Sequence, residues 1–132
     1  MTKDLDREEL DRWTKEERDE QLRLGWERHL AELSTSIAPV IRLLWTRMLE
    51  AIPGLPAPYA GAFEDGSFQM TWESVRFHFN IEIAATGEAE WFYLDRETRE
   101  MSGGGFWPAE RPPAYLIEQL ALVSSARTLT PR

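Results

Sequence analysis

Between Val75 and Ile83 the chain alternates without a break: Val75, Phe77, Phe79, Ile81 and Ile83 on one side, Arg76, His78, Asn80 and Glu82 on the other. Successive side chains of an extended backbone point to opposite faces, so this period demands a half-buried β-strand with one dry face and one wet face. Antiparallel sheets tolerate water on one side. Phe68, Met70 and Trp72 repeat the pattern against Ser67, Gln69, Thr71 and Glu73, and a candidate first strand covers residues 59–63. Asp65-Gly66 predicts a two-residue type I′ turn with both central residues at positive φ, and Thr86-Gly87 supplies the next turn. Trp91-Phe92-Tyr93-Leu94 reads as a strand apolar on both faces, ended by Asp95. Residues 59–95 are therefore expected to form an antiparallel β-meander of three to four strands, buried on one face.

Ahead of the meander, Leu22, Trp26, Leu30, Leu33, Ile37, Ile41, Leu44, Met48 and Ile52 follow one another at spacings of three or four. That is one face of an α-helix. Pro39 lacks the N–H for the carbonyl of Thr35, and Ser34, Thr35 and Ser36 offer caps for a new start. The ladder keeps its phase across Pro39, so one long, proline-kinked helix is expected in preference to two. Residues 1–21 are almost wholly charged and read as a helical or partly mobile arm, with a capping box at Thr14-Lys15-Glu16-Glu17. Prolines 53, 56 and 58 with Gly54 end the long helix. Residues 101–113 read as a loop because of Gly103-Gly104-Gly105 and three prolines, and residues 115–126 as a last helix with Leu116, Leu120 and Val123 inward. Residues 128–132 read as a loose tail. The expectation is a single α+β domain over residues 1–132, both helices lying on one sheet face.

Composition narrows the function classes. An apolar content of 42% with six Trp and six Phe gives enough surface to offset the entropy of ordering the chain. Cysteine is absent, which excludes disulfides, thiolate zinc sites and cysteine nucleophiles. A net charge of −8 argues against direct binding of nucleic acid, which needs clustered Lys and Arg. The charged N-terminus has no apolar core of a signal peptide and no stretch near membrane-span length, so a cytoplasmic location away from membranes is expected.

Chemistry-bearing residues are few. His29 and His78 are the only histidines, and neither has the three or four protein ligands that zinc normally requires, so no metal or other cofactor is expected. Arg76, His78, Asn80 and Glu82 share a strand face that imitates an active site, but a polar row is also what the outer face of an antiparallel sheet needs. Glu88 and Glu90 lack the cleft of a glycosidase dyad. Ser102-Gly103-Gly104-Gly105 lacks the Lys-Ser/Thr ending of a phosphate loop. No catalytic residue is assigned. Six Trp exceed what one small core readily takes up whole, and the aromatic residues expected at an interface are Trp13, Trp91, Tyr93, Phe106 and Trp107.

Leu55-Pro56-Ala57-Pro58, followed by Asp65-Gly66-Ser67 and Trp72 before the alternating strand, resembles a pattern in small bacterial proteins of uncharacterised function. The resemblance implies a fold and no activity. The expected function is a non-enzymatic protein–protein interaction module, such as an adaptor, inhibitor, antitoxin-like protein or accessory subunit. Its expected partner is another protein, with a basic surface that the acidic arm would favour, or a second copy paired through the long helix. The alternatives are an acidic mimic of nucleic acid, and a small-ligand protein or enzyme with a pocket between the sheet and the long helix using His78 or Glu82.

Overall fold

The computed structural model describes residues 15–33 and 36–125. In chain order these form helices α1 (Lys15–Glu32) and α2 (Ala38–Ala51), strands β1 (Tyr59–Ala62), β2 (Phe68–Glu73), β3 (Phe77–Ile83), β4 (Ala89–Asp95) and β5 (Met101–Phe106), and helix α3 (Ala114–Ser125). The strands make one antiparallel sheet in sequential order, β1 to β5. The α+β order of helices, meander and terminal helix is as expected, with five strands in place of three or four. Trp13, the cap at Thr14 and the tail at residues 128–132 lie outside the described residues.

The extra strand is β5, in the segment expected to be a loop. Gly103 in it is a packing requirement of the sheet. A Cβ on Gly103 would sit 2.6 Å from the Trp91 carbonyl oxygen, and one on Gly104 would sit 3.4 Å from Trp91 Nε1. Without side chains there, β5 can close on β4 with Gly103 opposite Phe92 and Gly104 opposite Trp91.

The long helix is two helices, which corrects the expectation of a single kinked one. Pro39 lies in the first turn of α2, where a backbone N–H has no intrahelical acceptor and its loss costs nothing. The ladder keeps phase because both helices bury their apolar faces in the same core, with Trp26 from α1 and Ile41, Leu44, Trp45 and Met48 from α2. Arg42 ties them together: its Nε and Nη2 each donate at 3.0 Å, to the carbonyls of Leu30 and Leu33. These groups at the end of α1 have no intrahelical donor, and a cation there also suits the helix dipole.

The turns depart from the expected type I′ geometry. Gly66 N–H donates to Phe63 O and Phe63 N–H to Ser67 O, and only Gly66 has positive φ, at 87°. The β3–β4 turn repeats this with Ala84, Gly87 and Glu88, and Gly87 at φ 93°. Both are three-residue loops with glycine at the left-handed position. Asp65 accepts from the Ser67 amide (2.9 Å) and hydroxyl (2.6 Å), which fixes the first loop and holds the Asp65 carboxyl below its ordinary range.

One sheet face is dry. Phe68, Met70 and Trp72 of β2, Phe77, Phe79, Ile81 and Ile83 of β3, and Ala89, Trp91 and Tyr93 of β4 are buried there. Val75, expected in this row, is 75% exposed. It sits in the β2–β3 turn that Ser74 N–H closes on Phe77 O at 2.8 Å, so the alternating strand begins at Phe77. Leu116, Leu120 and Val123 of α3 complete the core with α2, and Trp26 packs edge-on to Trp45 and against Phe68. Trp72 Nε1 donates to Pro56 O at 2.7 Å, pinning the proline-rich connector to the sheet. Each large side chain removed from water in this way contributes about 1.5–3 kcal/mol.

The glycine geometry sets up a contrast measurable by urea unfolding. Gly103→Ala should cost about 1–3 kcal/mol by forcing β5 off β4. Gly105→Ala, whose Cβ would meet Ala89 O at an ordinary 3.7 Å, should leave stability within about 0.5 kcal/mol of the parent.

Candidate interaction surface

The outer face of the sheet follows from the register. Glu73, His78, Leu94 and Met101 stand side by side across β2 to β5. The next row is Tyr59, Thr71, Asn80, Phe92 and Gly103, and the third is Gly61, Gln69, Glu82, Glu90 and Gly105. These side chains are half-buried or exposed, and the buried side chains of α1, α2 and α3 join the core on the opposite face.

Polar groups on this face are paired across strands. Asn80 Oδ1 accepts from Gln69 Nε2 at 2.7 Å and from Thr71 Oγ1 at 3.0 Å. His78 Nδ1 lies 2.6 Å from Glu73 Oε2, and Arg96 donates to the other Glu73 oxygen. Partial burial pushes the Glu73 carboxyl up, but the hydrogen bonds from His78 and Arg96 outweigh it and hold the group below its ordinary value. An ionised carboxylate only accepts, so His78 Nδ1 carries the proton it shares with Glu73. Arg96 Nη1 also donates to Ser74 O at 2.7 Å, so this cluster ties the β2–β3 and β4–β5 turns together.

Two expected neighbours of His78 stand elsewhere. Arg76 precedes β3 and forms a two-pronged pair with Asp95, Nε to Oδ1 at 3.0 Å and Nη2 to Oδ2 at 2.9 Å. The acid that meets His78 is Glu73, not Glu82. Glu73 and Arg96 were not singled out from the sequence. The position of Glu73 directly opposite His78 could have been found by counting back across the Ser74–Phe77 turn, whereas Arg96 comes from a different hairpin. Among the described residues, no three His, Asp or Glu side chains come together in a way that could hold a metal ion.

The aromatic residues expected at an interface divide. Trp91, Tyr93 and Phe106 are buried in this chain's own core. Trp91 stacks on Phe79 and meets the edge of Tyr115, and Tyr93 stacks on Phe77. Strand alternation decides this: 91 and 93 point inward, while 92 and 94 point outward. Trp107 is 49% exposed, just beyond the end of β5. Met101, at the start of β5, is 65% exposed, and Phe92, one outer row along on β4, is 39% exposed. Met101 and Phe92 thus occupy adjoining outer rows at one end of β5, and Trp107 stands beyond the other end, past the row of Glu82, Glu90 and Gly105.

The fold and this surface define a small α+β chain with a one-sided five-stranded sheet, a polar outer face and an open edge at β5. Compared with protein-family models, curated proteins and solved structures, the chain finds no match in any of the three. No described helix is long and apolar enough to cross a membrane.

Asp95 is the buried acid of the sheet, and Arg76, followed by the amides of Glu97 and Thr98, holds its carboxyl far below the ordinary 3.8 despite the opposing effect of burial. A depressed folded-state pKa stabilises fully above the unfolded value, and that stabilisation is lost as pH falls through the folded one. Unfolding free energy should therefore decline with acid below about pH 4. Asp95→Asn should lower stability at neutral pH and flatten that decline, which denaturant melts at stepped pH would measure.

Proposed function

We propose that the chain is a non-enzymatic protein-interaction module that meets its partner along the β5 side of the sheet. The observation that carries this reading is the exposure of Met101 and Phe92 on adjoining outer rows at the start of β5, with Trp107 exposed beyond its other end. Large apolar side chains grouped at a surface mark contact sites more often than singly scattered ones do. Aromatic and Met side chains are also enriched in the buried centres of interfaces. The chain's own core is filled by side chains such as Trp72, Phe79, Ile41, Leu44 and Leu120, all under 2% exposed, which favours an outward role over a ligand pocket between helices and sheet.

A second reading is supported by the Glu73–His78 pair. A carboxylate that orients an imidazole through one ring nitrogen is an arrangement used in ligand binding and general base chemistry. Replacing His78 by Gln separates the two readings. It would abolish ligand binding under the second and spare partner association under the first.

The primary reading is tested with the double variant Met101→Ser/Trp107→Ser, both sites being exposed. It should stay folded, losing no more than about 3 kcal/mol for the partly buried apolar area it gives up. In-cell crosslinking should capture a partner with the parent chain and lose it with the variant. Undiminished capture by the folded variant would overturn the assignment of this surface.

A further inference from the structure

Resting on that reading, we propose that β5 receives an extended segment of another protein as a sixth, antiparallel strand. The segment carries a basic residue opposite Gly105 and apolar residues opposite Gly103 and Met101.

The edge itself is open. β5 pairs with β4 alone, and no other backbone hydrogen bond reaches it among the described residues. Its outward amides and carbonyls form a template for another backbone. Gly103, Gly104 and Gly105 are exposed and put no side chain in the way. The glycine requirement at 103 comes from packing on the Trp91 carbonyl, so the bare backbone there is a by-product of how β5 closes the sheet.

The chemistry of the occupant follows from the outer rows. Glu82 and Glu90 lie directly opposite each other, and with Glu88 they line one shallow hollow. Like charges facing across a ladder are destabilising, and no described cation pairs with any of the three. Gly105 continues that row with nothing above its backbone. A residue added opposite Gly105 would stand about 10 Å from Glu90, two strand spacings away. A Lys or Arg laid across the glycine spans that gap together with the glutamate side chain. In the next row an apolar side chain opposite Gly103 reaches Phe92, and in the last row one opposite Met101 extends the Leu94–Met101 surface. Read along an antiparallel partner, the order is basic, any residue, apolar, any residue, apolar.

A second copy meets this demand less well. Two-fold pairing that keeps the sheet faces continuous can centre on Ser102, Gly103 or Gly104. The first sets Arg99 against Gly105, but Arg99 precedes β5 with a left-handed φ of 63° and only Gly103 then faces Met101. The other two set Met101 or Gly103 against Gly105 and supply no cation there, and every one of these registers brings two Glu82–Glu90 rows into one sheet.

The test uses the full chain with fluorescent peptides Thr-Lys-Thr-Ile-Thr-Val-Thr and the same peptide with Lys→Glu. The basic peptide should bind about fivefold more tightly, the scale of one partly exposed ion pair, and more so at low salt. The preference should vanish in Glu90→Lys. It should vanish also in Gly105→Lys, which carries its own cation at a position where a Cβ fits. Amide signals of residues 101–106 should shift and gain exchange protection. Equal binding of both peptides, shifts confined to other strands, or a peptide-free dimer with protected β5 amides would each overturn the proposal. If neither peptide binds while Met101→Ser/Trp107→Ser still abolishes partner capture, strand addition fails and the interaction-module reading stands. If capture survives that double variant, it is the module reading that fails.

Discussion

One face of the sheet has to be taken out of water, and most of the rest of the structure follows from that. β2, β3 and β4 project a continuous apolar row from Phe68 to Tyr93, and no sheet of this size can bury such a row on its own. α2 and α3 supply the lid, and α1 adds Trp26 at one corner. The burial is non-directional, so it sets which faces meet without setting their detailed fit. Directional contacts do the rest. Trp72 holds the connector through Pro56, Arg42 holds the end of α1, and Arg47 reaches Ala109 O in the segment that leads to α3.

Some buried polar atoms, such as Trp26 Nε1 and Ser102 Oγ, have no hydrogen-bond partner, but the buried polar residues at the turns are satisfied. Ser67, Ser74 and Asp95 are buried, and each sits at or beside a turn with its hydrogen bonds made. The turn ends of a sheet are where backbone amides lack ladder partners, so a short polar side chain there relieves two unsatisfied groups together. Asp95 illustrates the balance. Removing its carboxylate from water is unfavourable, and the two-pronged contact with Arg76 plus two turn amides outweighs that penalty.

The wet face and the β5 edge are consequences of the same packing. Side chains that alternate away from the core must be compatible with water, which Glu73, His78, Thr71, Asn80 and Gln69 achieve by pairing with one another across strands. Toward β5 that network gives way to Phe92, Leu94 and Met101 on one side and the uncompensated Glu82 and Glu90 on the other. The surface thereby acquires a direction, apolar at one end and acidic at the other, beside a strand whose outer edge has no backbone partner among the described residues.

Much of this fold was legible in the amino-acid order, because periodicity is local. Alternation at residues 77–83 and 68–72 named the inward row, and a step of three or four residues named the helix faces. Where the reading went astray, a non-local contact decided the outcome. The apolar phase carried across Pro39 because two separate helices share one core, which looks the same in sequence as one continuous helix. Gly103-Gly104-Gly105 read as part of a loop because the Trp91 carbonyl that excludes a side chain at Gly103 belongs to another strand. Trp91 and Tyr93 read as surface aromatics until β4 acquired neighbours on both sides and α3 closed over it. The sequence by itself determined that the sheet would have one dry face, most of the β2 and β3 residues that form it, and the turns at Gly66 and Gly87. Tertiary structure alone decided that β5 would join the sheet, that Glu73 and Arg96 would converge on His78, and that the open edge would lie between apolar and acidic rows. Register and closure depend on contacts between residues far apart in the chain, and no local pattern encodes them.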